Sequence, residues 1–169
     1  GNVSTEIASR ANSHDALSAL FRLHAERWGR TGGPGVLSQG LIQQFHRNVA
    51  MRLIDTGIFR LYLLRLDQRV IGALYALFEG ETVYCYLQGF DPEYGKMSPG
   101  TAILGNVIEA AIKHGAKKID FLRGREPYKY SWGACDSPTY RVTDIRYSSE
   151  RSSFPGHSES KPREPENCR

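Results

Sequence analysis

Residues 82–122 read TVYCYLQGFDPEYGKMSPGTAILGNVIEAAIKHGAKKIDFL, and the succession of patterns within them decides the fold class. Residues 82–88 alternate with the two-residue period of a strand. The stretch GFDPEYGKMSPG that follows carries too many prolines and glycines to continue a central strand. From 99 to 114, PGTAILGNVIEAAIKH repeats its apolar residues at helical spacing. Pro99 fits the first turn of that helix, where a missing N–H costs nothing, and Gly115 ends it. Lys117 to Leu122, KKIDFL, is a further strand. Strand, helix, glycine and strand in that order is the pattern of a βαβ crossover, which places two parallel strands in one sheet.

Upstream of this unit the two-residue period continues. Residues 58–66, IFRLYLLRL, and 70–78, VIGALYALF, are strands joined by a turn at Asp67-Gln68-Arg69. Gly80 marks a second turn, so these strands and 82–88 form an antiparallel meander. Two helices come first. Residues 15–28 place Leu17, Leu20, Phe21, His24 and Trp28 on one side. Residues 38–55 do the same with Leu41, Ile42, Phe45, Val49 and Leu53, and Gly57 is the terminator. The segment GRTGGPG, 29–35, separates the two helices as a flexible connector.

The expected fold class is therefore α+β (mixed α/β): a mostly antiparallel sheet with one parallel pair, flanked by helices. Residues 1–14 are expected as a loose lead, 15–147 as a single domain ending in a weak strand at Tyr140–Tyr147, and 148–169 as a polar, disordered tail. The four basic and four acidic residues of that tail cancel.

At 169 residues the chain is long enough for one sizeable core and too short for two ordinary ones. Its net charge of +4 suits an anionic ligand but does not by itself indicate nucleic acid. No apolar run reaches the roughly 18 residues of a membrane span, and no basic segment leads into an apolar one as in a secretory leader. Cys85, Cys135 and Cys168 are odd in number, far apart and without a CxxC, so neither a disulfide framework nor a structural zinc site is expected. A reducing, cytoplasmic location is the simplest expectation.

Two stretches carry chemistry. A glycine- and proline-rich loop running into a helix presents unpaired N–H groups and the positive end of the helix dipole, an arrangement suited to phosphate. Gly95, Lys96, Ser98, Gly100 and Thr101 are the candidate lining. Alternatively, Pro99 and Thr101 only start a helix. Neither the GxxxxGK[ST] loop nor a dinucleotide fingerprint is present. The second stretch, DFLRGREPYKYSWG at 120–133, leaves a strand at its carboxyl end, where open α/β sheets bind ligands. Arg123, Arg125, Lys129, Tyr128, Tyr130 and Trp132 crowd there with Glu126, as a polyanion clamp or as a solvated loop neutralised by Asp120 and Glu126.

Other chemistries lack support. His24 and His46 sit within amphipathic helices and are expected to pack or face solvent. No HExxH and no pair of histidines at ligand spacing occurs, so no metal site is expected. Cys85 alternates within a strand as a small core residue, and no Ser/His/acid arrangement is present.

The run from Tyr86 to Gly133, YLQGFDPEYGKMSPGTAILGNVIEAAIKHGAKKIDFLRGREPYKYSWG, resembles the acetyltransferase domain associated with bacterial cellulose and exopolysaccharide biosynthesis. That domain belongs to the GNAT superfamily and is akin to the Fem-type peptidoglycan aminoacyltransferases. FRLHAERWG, FHRNVAMRLIDTG and LYLLRLDQRVIGALYALFEGETVYCY upstream are similar to it too, so the resemblance covers about 15–135. It implies a GNAT-like acyl-CoA N-acyltransferase fold whose parallel pair splays, here at Val83–Gln88 and Ile119–Leu122. It implies acetyl-CoA, or another acyl-CoA, as donor, held by Gln88, Gly89 and Phe90 together with the loop residues Gly95, Lys96, Ser98, Gly100 and Thr101. On the acceptor side it places Arg123, Arg125, Tyr128, Lys129 and Trp132.

The reaction this implies is direct acyl transfer to an amine or hydroxyl of a polysaccharide or cell-envelope precursor, driven mainly by orientation of two bound reactants. Asp91 and Glu126 are the candidate proton acceptors and Tyr130 the returning acid. Asp91, preceding Pro92, also reads as a turn residue, and Glu126 as a partner of Arg123 or Arg125. Relatives often carry two such domains in tandem, so a preceding GNAT-like domain is an expected partner. The rival readings are tRNA-dependent aminoacyl transfer to a peptidoglycan-type acceptor, and a non-catalytic domain that keeps the fold to bind a glycan or a protein.

Overall fold

A computed structural model describes residues 1–29 and 36–143. These fall into two compact units, one of residues 1–124 and one beginning at Arg125. The first holds a five-stranded sheet in the order β1-β2-β3-β4-β5. Its strands are β1 (Val3–Ile7), β2 (Phe59–Leu66), β3 (Arg69–Glu79), β4 (Thr82–Phe90) and β5 (Lys118–Asp120). Its helices are α1 (Ser13–Gly29), α2 (Gly40–Leu53) and α3 (Pro99–His114). Every neighbouring pair of strands is antiparallel except β4 and β5, which are parallel across the α3 crossover. The expected fold class is thus the observed one.

Residue chemistry accounts for most of these boundaries. Pro99 opens α3 after Ser98, and Gly115 closes it in the left-handed conformation. Ala116 then donates back to the Ala111 carbonyl, so the last orphan carbonyls of the helix find partners. Gly57, at φ 75°, ends the short turn Ile54–Thr56 that follows α2. Gly80 and Asp67 take positive φ at the two hairpin turns, which is what tight connections between twisted strands require.

The core is built on the period of the strands. Phe59, Leu61 and Leu63 of β2 and Ala73 and Tyr75 of β3 pack with Leu17, Leu20, Phe21 and Leu23 of α1. The other face of β3 meets α3, where Gly72 lies beside Leu64 and the Pro99 carbonyl.

Several expectations need correction. Residues 1–14 are not a loose lead, since Val3–Ile7 pair along β2 from Leu66 to Tyr62. This edge strand is polar and largely exposed, so it carries no apolar alternation. Ladder bonds and the Glu6–Arg65 ion pair at 2.9 Å hold it. Helix α2 is rolled relative to its expected face: Leu41 is 87% and Phe45 59% exposed, while His46 and Ala50 are buried. Strand β4 runs two residues further than expected, to Phe90, and β5 stops at Asp120 rather than Leu122. Leu122 has φ 57°, a conformation no strand continues through.

The second unit contains α4 (Pro127–Ser131), a helix in a stretch read as loop. Residues 140–143 are exposed and form no strand. The rest of the expected last strand, the connector at 30–35 and the tail at 148–169 lie outside the described residues. Cys85 is a half-buried thiol, whereas Cys135 is disulfide-bonded, which the cysteine spacing did not suggest.

Candidate active site

Strand β4 has different lengths of partner on its two edges. Towards β3 the ladder runs from Glu79↔Thr82 to Gly72↔Phe90. Towards β5 it covers only Thr82–Tyr84, ending at Tyr84↔Asp120. Beyond that point the two parallel strands part. Asp120 marks the end, its Oδ1 accepting the Leu122 N–H at 2.8 Å where the chain turns away. Along Cys85–Phe90, β4 thus keeps its ladder to β3 while β5 no longer runs beside it.

A β-bulge sits at the fork. Tyr75 pairs with Leu87 and Ala76 with Cys85, so Tyr86 is the extra residue. Bulges bend a strand and re-aim its side chains. Here Tyr86 is 42% exposed, with its ring 5.2 Å from that of Tyr75 and 5.7 Å from that of His46.

The fork is fixed to its surroundings by three contacts. At Gly89 helix α1 comes so close that an added Cβ would stand 2.5 Å from the His24 backbone nitrogen and 2.7 Å from the Leu23 carbonyl carbon. Gln88 donates through Nε2 to the Gly100 carbonyl at 2.7 Å, tying β4 to the first turn of α3. Gly100 in turn lies over Phe90, where a Cβ would be 3.3 Å from the ring. The expected donor-binding residues Gln88, Phe90 and Gly100 thus come together, and the approach to α1 is what Gly89 permits.

Between β4 and α3 the chain makes a 3-10 turn, Pro92–Met97, and then Ser98 at φ 51°. Gly95, Lys96, Ser98 and Thr101 are exposed along it. The turn is anchored from below. Asp91 is buried; its Oδ1 accepts the Glu93 N–H at 3.0 Å and its Oδ2 accepts from Arg69 at 2.7 Å. Arg69 also reaches Glu93 at 3.0 Å and stacks over Tyr94. This carboxylate raises the pKa of the Arg69 guanidinium. Both Asp91 oxygens are engaged, the geometry of a turn anchor. Asp91→Ala strands the Glu93 N–H and the Arg69 charge, and we expect it to cost about 2 kcal/mol in urea unfolding. Glu93→Ala, whose side chain is two-thirds exposed, is expected to cost under ~1 kcal/mol.

The remaining sequence candidates lie further along the chain. Arg123 is exposed after β5. In the second unit Lys129 is buried and pairs with Glu126 at 2.9 Å. Arg125 pairs with Asp136 at 2.9 Å. Tyr130 donates to Asp136 Oδ1 at 2.7 Å, and that bond raises its pKa. Trp132 is exposed and Tyr128 half-buried. The reading of the sequence passed over Arg69 and the grouping of His46, Tyr75 and Tyr86. Two carboxylates two residues apart around Pro92 were a signal for a basic partner. Nothing local signals the aromatic group, whose three members span about 40 residues of the chain.

A forked parallel pair followed by a turn into a helix is the arrangement the sequence resemblance implied. The acetyltransferase (GNAT) domain model matches residues 1–130. The chain belongs to the GNAT acetyltransferase family. Members of this family transfer acetyl groups from acetyl-CoA. Similar solved structures include an aminoglycoside acetyltransferase from an uncultured soil metagenomic sample, at 15% identity and a TM-score of 0.60, over 88% of this chain and 100% of that one. A predicted acetyltransferase of Clostridium acetobutylicum, crystallised with acetyl-CoA, is 12% identical with a TM-score of 0.64, over 85% and 96% of the two chains. A second soil-metagenome aminoglycoside acetyltransferase, in complex with sisomicin, is 13% identical with a TM-score of 0.56, over 88% and 97%. At these identities the likeness is one of fold. No curated protein matches the chain. Among the described residues of this GNAT domain, no group of three His, Cys, Asp or Glu side chains is placed to hold a metal ion. No helix among them is long and apolar enough to cross a membrane.

Proposed function

We propose that this GNAT domain moves an acetyl group from acetyl-CoA to an amine or hydroxyl of a saccharide, of the kind found in polysaccharide and cell-envelope precursors. The observation that carries this reading is the parting of β4 from β5 beyond Tyr84↔Asp120, beside the anchored turn into α3. The edge of β4 beyond Tyr84, along which β5 does not continue, suits the amide-bearing arm of the coenzyme. Exposed Lys96, Ser98 and Thr101, with the Gly95 and Gly100 backbone, suit its pyrophosphate. When bound, the coenzyme supplies an activated thioester, and the protein's task is to orient it and stabilise the charge on its carbonyl oxygen. Gln88, Gly89 and Phe90 serve by shaping the strand and holding the first turn of α3.

The carboxylates divide differently from the expectation. Asp91 we assign to the turn, since both its oxygens are taken, and Glu126 to the charge of buried Lys129. Tyr130, whose bond to Asp136 raises its pKa, is a neutral phenol at neutral pH. Arg123, exposed after β5, is assigned to the acceptor, while within the second unit Arg125 and Lys129 are held by carboxylates. Resemblance to the exopolysaccharide type, and the sisomicin complex of a metagenomic aminoglycoside acetyltransferase of the same fold, support a saccharide acceptor.

Calorimetric titration of the full chain with acetyl-CoA and with coenzyme A tests the donor. Saturable micromolar binding of both is expected, followed by thiol release when glucosamine or sisomicin is added. Absence of binding overturns the reading, and saturable binding of aminoacyl-tRNA in its place would transfer the assignment to the tRNA-dependent rival.

A further inference from the structure

The acetyl-transfer reading leaves the acceptor's proton without a destination, because Asp91 and Glu126 are committed elsewhere. An amine that is an ammonium ion in water must lose a proton before it can attack. Among the described residues, His46 is a group near the fork suited to take it.

His46 projects from α2 and is 4% exposed. Its ring centroid lies 5.7 Å from Tyr86, 5.8 Å from Tyr75 and 5.3 Å from Phe45. Tyr86 is the bulged residue at the fork, so the imidazole stands one ring away from the point where β4 leaves β5. Its Nδ1 is buried and, among the described residues, has no hydrogen-bond partner. A polar nitrogen withdrawn from water with no partner of its own is an uncompensated cost in the folded chain. It is tolerated where the group has a task, and a proton-bearing acceptor brought to it would relieve that cost. Phe45 and Tyr86, whose rings flank it, are exposed, and exposed Leu41 lies one helical turn before Phe45, so these residues offer apolar and aromatic surface of the kind on which the C–H face of a sugar ring packs.

We propose that His46 is the proton acceptor for the attacking amine, and that the surface of Leu41, Phe45 and Tyr86 receives the acceptor's ring. This rests on the acetyl-transfer reading above. The neutral imidazole takes one proton from the acceptor ammonium, giving imidazolium and a free amine. The amine nitrogen then forms the C–N bond to the thioester carbonyl as the C–S bond breaks. Its second proton goes to the departing thiolate, and the imidazolium returns its proton to solvent. The sum is ammonium plus thioester giving amide, thiol and one proton.

Burial is consistent with this role, since it lowers the pKa of His46 below the ordinary 6.5 and keeps the ring neutral at pH 7. The groups facing it are the phenols of Tyr86 and of Tyr75, the latter raised to about 12 by burial and by Tyr86, so Tyr75 carries no charge near neutrality.

The test compares wild type, His46→Asn and His46→Gln. Acetyl-CoA affinity is measured by calorimetry, and kcat/KM is followed from pH 5 to 9 with glucosamine and sisomicin as acceptors. Wild type is expected to show an acid limb below pH 6.5. Both variants should bind acetyl-CoA within about twofold of wild type, lose ~100-fold in kcat/KM and lose the acid limb. A folded variant that stays within tenfold and keeps the limb overturns the assignment while leaving the acetyl-transfer reading intact. So does binding of acetyl-CoA by wild type with neither amine acetylated. If wild type does not bind acetyl-CoA, the reading itself fails and the inference falls with it. Should neither variant fold, NMR titration of the wild-type imidazoles decides. A His46 midpoint coinciding with the acid limb supports the proposal, and a midpoint more than one pH unit from it overturns it.

Discussion

Gly89→Ala is expected to destabilise the domain by roughly 3 kcal/mol, at the upper end of overpacking effects, and to lower Tm by ~10 °C. The added methyl would stand 2.5 Å from the His24 nitrogen and 2.7 Å from the Leu23 carbonyl carbon. Both are backbone atoms of α1, so no rotamer change relieves the contact. Either α1 lifts from the sheet or β4 shifts, and each movement loosens the packing of Leu20 and Leu23. Gly40→Ala is the matched control, since nothing lies within 4 Å of the new methyl and φ there is not positive. It is expected to be neutral or slightly stabilising. Thermal unfolding of the two variants side by side distinguishes a steric requirement at Gly89 from a general intolerance of substitution.

The second large effect is an acid-dependent loss of stability through His24. Burial, with a smaller contribution from Arg27, lowers its pKa from 6.5 to about 4. The folded value lies below the unfolded one, so between pH 6.5 and 4 the unfolded chain holds more protons at this residue. Its contribution is fully present above pH 6.5 and is lost as the pH falls towards 4. The shift corresponds to an upper bound of about 3 kcal/mol over that window. His24→Gln is expected to flatten the dependence between pH 6.5 and 4, whatever its stability at pH 7. Urea midpoints collected across that range read the slope directly, and an unchanged slope in the variant would remove His24 as the cause.

Both effects arise where α1 meets β4, and neither position declares this role in the sequence. Gly89 reads as part of a glycine-rich loop beside the donor site, and His24 as one residue of an amphipathic stripe. The loop itself was legible. The prolines and glycines of 89–100 limit what the backbone can do there, and the structure duly forms a turn into a helix with Lys96, Ser98 and Thr101 exposed. Gly95 and Gly100 likewise fall on that turn and on the first turn of α3. Asp91 was read both as a base and as a turn residue, and its two hydrogen bonds favour the turn. Glu126 pairs with Lys129, which α4 places one turn away along a helix that the sequence did not announce.

Local physics determined the meander, α1, α3 and the parallel crossover, because strand period, helix period, proline at a helix start and glycine at its end act over a few residues. That much of the fold could be read from the residues alone. Edge strand β1 could not, since a polar strand exposed on both faces is held by ladder bonds to a partner some sixty residues away. Nor could the roll of α2: an apolar stripe spread over Leu41, Ile42, Phe45, Val49 and Leu53 fits several rotations, and only packing against Tyr75 and its neighbours selects the one that buries His46. The bulge at Tyr86 and the early end of β5 exist only as differences in register between three strands. The fork and the histidine beside it were therefore decided by tertiary structure, because register and helix rotation are set by contacts between segments that no local pattern encodes.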